Sequence, residues 1–169
     1  PRRAPGRPAR TREAPGGGLT VAVPDVDRTQ YLLMLGANPY ASNGSLATAP
    51  DWPGRIEAMQ ARGGRLVVVD PRRTETAALA DQHLAIRPGA DALLLLALLQ
   101  VLFAEDRVRP DRLSAFTHGL EKLPGLVAAH TPEAVAPATG LAAADIRALA
   151  RAFALSPSAV AYGRVGTST

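Results

Sequence analysis

Three short polar turns carry the residue types that can cradle a nucleotide. They are Gly36-Ala37-Asn38-Pro39, Asp70-Pro71-Arg72-Arg73-Thr74 and Arg87-Pro88-Gly89-Ala90-Asp91. Glycine lets the backbone approach a ligand closely and adopt positive φ. Asn38 offers an amide donor and an acceptor. Asp70 can accept from ribose hydroxyls, and Arg72 and Arg73 can pair with phosphate. Asp91 can grip a guanine edge through two parallel hydrogen bonds. Ordinary structural explanations stand beside each of these. Asn-Pro and Asp-Pro open turns, arginines at a helix entry are solvated, and Asp is a favoured helix N-cap worth ~1 kcal/mol. There is no GxGxxG, and Asp70 lies further from Gly36 than the ~20-residue spacing of a dinucleotide fingerprint.

The elements that must position these turns follow from hydrophobic patterning. Tyr31-Leu32-Leu33-Met34-Leu35 is an unbroken apolar run stopped by glycine, as in a parallel strand buried on both faces. Arg65-Leu66-Val67-Val68-Val69 is a second strand, rich in β-branched residues. Residues 83–86 read as a third. A helix over 53–62, capped by Asp51 and ended by Gly63-Gly64, joins the first two strands. Thr74 caps a short helix reaching Ala80. Residues 36–50 read as a long small-residue loop, a length that often carries function. This alternation predicts an α/β fold, a Rossmann-like doubly wound parallel sheet with flanking helices. In such sheets ligands bind outside the carboxyl ends of the strands, which is where the three turns fall.

Residues 91–105 form a helix apolar nearly all round, hence expected to pack on both sides. Helical stretches follow at 110–116, 132–136 and 142–155, and residues 159–162 read as a further strand entering Gly163-Arg164-Val165-Gly166. A strand and glycine turn so near residue 169 predict an incomplete domain of a larger enzyme. Residues 1–24 read as a basic Pro/Gly-rich tail or linker, and residues 25–169 as the nucleotide-binding domain.

Composition removes several function classes. The chain has no cysteine, which excludes disulfides, thiolate metal sites and iron–sulfur ligation within it. Its three histidines, His83, His118 and His130, lack metal-ligand spacing, so no metal site is expected. The net charge of +4 is accounted for by Arg2, Arg3, Arg7, Arg10 and Arg12 against Glu13. The remainder is balanced and carries no footprint for nucleic acid. No apolar stretch follows Arg2-Arg3, so no export leader is read there. The longest apolar run, 92–104, falls short of the ~20 residues that span a bilayer. Nothing resembles a nucleophile–base pair, paired carboxylates or a P-loop, so no catalytic residue is assigned.

Taken together, the ordered segments resemble the molybdopterin oxidoreductases, the superfamily of DMSO reductase, molybdenum formate dehydrogenases and bacterial nitrate reductases. The residues that carry the resemblance begin with 31–39 and Ser42-Asn43-Gly44-Ser45. They continue through Gly63-Gly64 and residues 65–77 to Ala80-Asp81, His83-Leu84, Ile86-Arg87-Pro88-Gly89 and Asp91 before the leucine-rich helix. Their order over residues 25–105 is specific, with Tyr162-Gly163-Arg164-Val165-Gly166 as a later match.

The resemblance implies a segment of a catalytic subunit that binds one of two molybdopterin guanine dinucleotides. It implies that Gly36, Ala37, Asn38 and Pro39, with Ser42, approach the pterin–diphosphate part. Asp70, Pro71, Arg72 and Arg73, with Gly89 and Asp91, would hold the guanosine end. Residues 163–166, Gly166 among them, would approach the pterin. The whole enzyme would move two electrons at molybdenum, often with oxygen-atom transfer, and pass them to an iron–sulfur cluster elsewhere. Residues 1–30 contain no cysteine and no serine, so neither a cluster motif nor a usual protein ligand to molybdenum lies there. The implied partners are the rest of the catalytic subunit, with an electron-transfer subunit as a further candidate; the cytoplasm is favoured over the periplasm. The segment alone is expected to be inactive. Two alternatives are the central domain of a thiamine-diphosphate enzyme, which also has a strand ending in Asp-Pro, and a noncatalytic nucleotide-binding module.

Overall fold

Tyr31–Leu35 (β1) and Arg65–Val69 (β2) pair in parallel, with Leu35 opposite Val69. The computed structural model describes residues 24–44 and 49–167. Residues 1–23 of the expected tail and Ser45 of the family-like segment lie outside them. Between β1 and β2 run two helices, Pro39–Ser42 (α1) and Trp52–Ala61 (α2). Glu75–Leu79 (α3) leads to Gln82–Leu84 (β3), which pairs in parallel with β2. Asp91–Ala104 (α4), Leu123–Val127 (α5), Pro132–Thr139 (α6) and Ala143–Leu155 (α7) then lead to Ala159–Gly163 (β4). β4 returns to the other side of β1, giving a four-stranded parallel sheet in the order β3-β2-β1-β4.

Strand alternation splits the core into two layers. Tyr31, Leu33, Leu35, Val67 and Val69 face α4, α6 and α7. Leu32, Met34, Leu66 and Val68 face Trp52, Ile56 and Met59 of α2 and Ala77 of α3. Helices therefore cover both faces, and the chain is doubly wound as expected. Asp51 caps α2 by accepting from the Gly54 amide at 3.2 Å, and Thr74 caps α3 by accepting from Ala77 at 3.2 Å. No helix among the described residues is long and apolar enough to cross a membrane.

Four expectations are corrected. The loop over 36–50 contains the helical turn α1, which begins at Pro39, a favourable first helical residue. The third strand is Gln82–Leu84 and stops before Ile86, whose amide donates back to Leu84 O at 3.0 Å and curls the chain off the sheet. Asp91 is not an N-cap: Ala90 holds that position, and Asp91 is the first residue inside α4. Nor is α4 packed all round: Leu94, Ala97, Leu98 and Val101 form its buried stripe, while Leu95, Leu99 and Leu102 remain half-buried.

At the end of α4, Glu105 joins Arg107 and Arg151 of α7 at 2.7 Å each. The Arg151 hydrogen bond, then that of Arg107, holds the Glu105 carboxyl down at about 2. Because the folded value is depressed, the stabilisation is complete above the unfolded value of ~4.3 and is lost as pH falls towards about 2. Comparing the melting temperatures of the wild type and Glu105→Gln from pH 7 to pH 2 should give a gap that is constant down to about pH 5 and closes below it. A gap independent of pH would contradict this triad.

Candidate functional site

All four strands are parallel, so their carboxyl ends share one edge of the sheet. The last rungs of the ladder seat the residues that follow. Gly36 N donates to Val69 O at 2.9 Å, Asp70 N to Leu84 O at 3.2 Å, and Arg164 N to Leu35 O at 3.1 Å. Strand order reverses between β1 and β4, the position where a crevice opens in doubly wound folds. Residues 36–39, after β1, and residues 163–166, at the end of β4, stand on either side of that position.

Gly36 leaves β1 at φ +61°, and a Cβ built on it would meet no atom within 4 Å. Space above the strand end is therefore open, and only the backbone conformation demands glycine there. Ala37 and Pro39 are buried beneath the turn. Ser42 is exposed at the end of α1, and Asn38 is half-buried.

Asp70 shapes the second turn. Its Oδ1 accepts from Arg72 N at 2.8 Å, and its carbonyl lies 2.9 Å from His83 Nε2, which donates to it. Pro71, Arg72 and Arg73 are exposed. Neither guanidinium has an ion-pair partner among the described residues. The third turn lies between β3 and α4, with Arg87 N donating to Thr139 O at 2.9 Å. Gly89 is exposed at φ +78°, and Asp91 is half-buried without a side-chain capping bond. Arg87 is committed elsewhere, donating to Pro137 O at 2.6 Å. Gly166 lies exposed in a 3₁₀ turn over Val165–Thr167.

Sequence reasoning missed what Asn38 touches. Its Nδ2 donates to Glu75 Oε2 at 2.7 Å, and its Oδ1 accepts from the Thr76 hydroxyl at 2.7 Å. Asn38 chiefly, then the Glu75 backbone amide, keeps the Glu75 carboxyl below its ordinary value, and Arg72 adds to the effect. The only legible signal was indirect: the Thr74 cap puts Glu75 and Thr76 in the first turn of a helix leaving the site. Arg164, which follows β4 beside β1, falls in the 163–166 stretch expected to approach the pterin, although only Gly166 of that stretch was named singly.

A separate hollow of about 300 Å³ lies over the mid-sheet face, lined by Leu33, Leu95, Leu102, Phe153 and Ala161 among others. It is almost wholly hydrocarbon and offers no group to orient a nucleotide. The described residues contain no cluster of three His, Asp or Glu side chains able to hold a metal ion. What the strand-end edge presents is a glycine turn, two free cations and two carboxylates, a donor and acceptor set suited to a nucleoside diphosphate.

No protein-family model matches the chain. It is 30% identical over 152 residues to formate dehydrogenase H of Escherichia coli, covering 90% of this chain and 20% of that protein. It is 28% identical over 145 residues to the assimilatory nitrate reductase catalytic subunit of Bacillus subtilis, covering 86% of this chain and 20% of the relative. The solved structure of acetylene hydratase from Pelobacter acetylenicus superposes with a TM-score of 0.74 at 30% identity, over 85% of this chain and 19% of that one. The chain thus spans about a fifth of the length of the curated relatives it matches.

Gly36→Ala should cost stability through its left-handed φ alone, roughly 1–2 kcal/mol, because nothing stands where the methyl would go. Urea unfolding checks this; a loss beyond ~3 kcal/mol would mean that the turn is sterically closed rather than open.

Proposed function

The chain belongs, as a segment of the catalytic subunit, to the molybdopterin oxidoreductase family, and on that premise we propose that it binds molybdopterin guanine dinucleotide for two-electron redox at molybdenum. One observation carries the reading: a glycine turn and a carboxylate turn with two unpaired arginines leave adjacent strands at the carboxyl edge of one parallel sheet, and a second carboxylate turn follows the third strand. The similarity to formate dehydrogenase and nitrate reductase subunits over most of the chain supports it over a thiamine-diphosphate domain.

The residues fit the group. Open space lies over the exposed Gly36, and backbone approach there suits a diphosphate. Arg72 and Arg73 would neutralise phosphate oxygens with charge-assisted hydrogen bonds. Asp70 keeps Oδ2 free after its turn-forming bond and would accept from the ribose or guanine. Asp91, free of the capping role, keeps both oxygens for the guanine edge. Ser42 and Gly89 would border the same cradle, and residues 163–166, with Gly166, would approach the pterin side. When bound, the group supplies a metal centre that exchanges two electrons, often with oxygen-atom transfer. This segment binds and orients it; the ligand to the metal, the iron–sulfur cluster and the second cofactor contacts belong to the remainder of a catalytic subunit. On this reading the segment alone turns nothing over.

The test uses the longest protein the reading frame encodes, produced in a host with the cofactor pathway. Roughly one molybdenum and two GMP equivalents per chain should be released on denaturation. Replacing both Arg72 and Arg73 by alanine should lower the nucleotide-bearing fraction by about tenfold or more, the loss expected for charge-assisted bonds. Folded protein with neither molybdenum nor guanine nucleotide would overturn the reading.

A further inference from the structure

We propose that Asn38, Thr76 and Glu75 form a latch that fixes the spacing between the first two cofactor turns, with Asn38 a positioning residue rather than a ligand. This rests on the dinucleotide reading above. It stands on how fully the Asn38 amide is already used. A primary amide has two donors and an oxygen with two acceptor sites. The Oδ1 accepts from Thr76 Oγ1 at 2.7 Å and from Thr76 N at 3.3 Å, while Nδ2 donates to Glu75 Oε2 at 2.7 Å. The Thr76 backbone amide can only donate, so it fixes the oxygen on its side and turns the nitrogen towards Glu75. Only one N–H of Asn38 is left over.

Thr76 is equally committed. It is fully buried at 0% exposure, and its hydroxyl, having donated to Asn38, accepts from Tyr40 N at 3.3 Å. The two turns are 36–38 residues apart in the chain at these contacts. Past Gly36, no backbone–backbone hydrogen bond joins residues 37–44 to residues 70–79 among the described residues. These side chains are therefore the polar tie between the turns. A diphosphate gripped from both sides needs them at one separation, and holding that separation before binding removes an ordering cost. The Glu75 carboxylate strengthens the tie, because a charged acceptor makes the stronger hydrogen bond.

Two conservative changes at Thr76 separate a latch from mere packing. Thr76→Val keeps the shape and removes the hydroxyl; Thr76→Ser keeps the hydroxyl and removes a methyl. In the longest protein the reading frame encodes, Thr76→Val should lower GMP released per chain by about tenfold, the scale of one buried hydrogen bond lost, and Thr76→Ser should retain it. The reverse order overturns the latch. A polarity swap guards against simple misfolding. Asn38→Asp sets one carboxylate against another and should lose nucleotide; adding Glu75→Gln supplies an amide donor and should restore it. Absence of loss, or of rescue, overturns the latch while leaving the dinucleotide reading intact. Wild-type protein without guanine nucleotide overturns that reading instead. Hydrogen exchange at Tyr40 N then decides the latch by itself: it should be slow in the wild type and fast in Thr76→Val, and equal rates would sink it.

Discussion

Parallel pairing of β1 with β2 is the constraint from which the rest of this molecule follows. Antiparallel pairing would send Gly36 and Asp70 to opposite edges of the sheet. In parallel register, with Leu35 opposite Val69, the next residue of each strand emerges at the same edge. Parallel pairing also demands crossovers, so α2 and α3 cover one face of the sheet and α4, α6 and α7 the other. Burial on both faces is in turn why the strands must be continuous runs of Leu, Val and Met. The polar residues are thereby excluded from the sheet and gathered at its carboxyl end.

Around that edge the structure divides labour between backbone and side chains. The ladder seats Gly36, Asp70 and Arg164, since each donates its amide to the neighbouring strand. Side-chain bonds then shape the turns: Asp70 folds its own turn over Arg72, His83 holds the Asp70 carbonyl, and Asn38 ties α1 to α3. Arg72 and Arg73 make no ion pair among the described residues, and the carboxylate of Asp91 makes no capping bond. Cations and carboxylates without a local hydrogen-bonded partner are the groups a ligand can use at least cost, because no internal bond has to break first. The far face is different in kind. The hollow bounded by Leu95, Leu102, Phe153 and Ala161 is hydrocarbon and contributes nothing to recognition of charge.

Much of this was legible in the residues alone. β1 and β2 could be read because an unbroken apolar run of five residues in one and four in the other, ended by Gly or Asp-Pro, has few other uses. Asp51 and Thr74 could be read as caps because their side chains bond only three residues ahead. The illegible parts depended on distant partners or on tertiary override. α1 is a single turn, too short for any periodicity, and α5 begins Leu123-Pro124-Gly125, residues that read as breakers. β3 lost its last two expected residues because the amide of Ile86 turns back on Leu84, although Ala85 and Ile86 are apolar. Asn38 was read as facing a ligand because nothing local competes for its amide; Glu75 and Thr76, its partners, are brought to it only by the crossover.

The proposed function puts a dinucleotide at the carboxyl edge of the sheet. A structure of the cofactor-loaded protein at side-chain resolution tests this directly. It should show a diphosphate over the Gly36 turn within reach of Arg72 and Arg73, and a guanosine between Asp70 and Asp91, with the Asn38 amide still bonded to Thr76 and Glu75. A dinucleotide bound away from the carboxyl edge of the sheet, or with its guanosine out of reach of both Asp70 and Asp91, would contradict it.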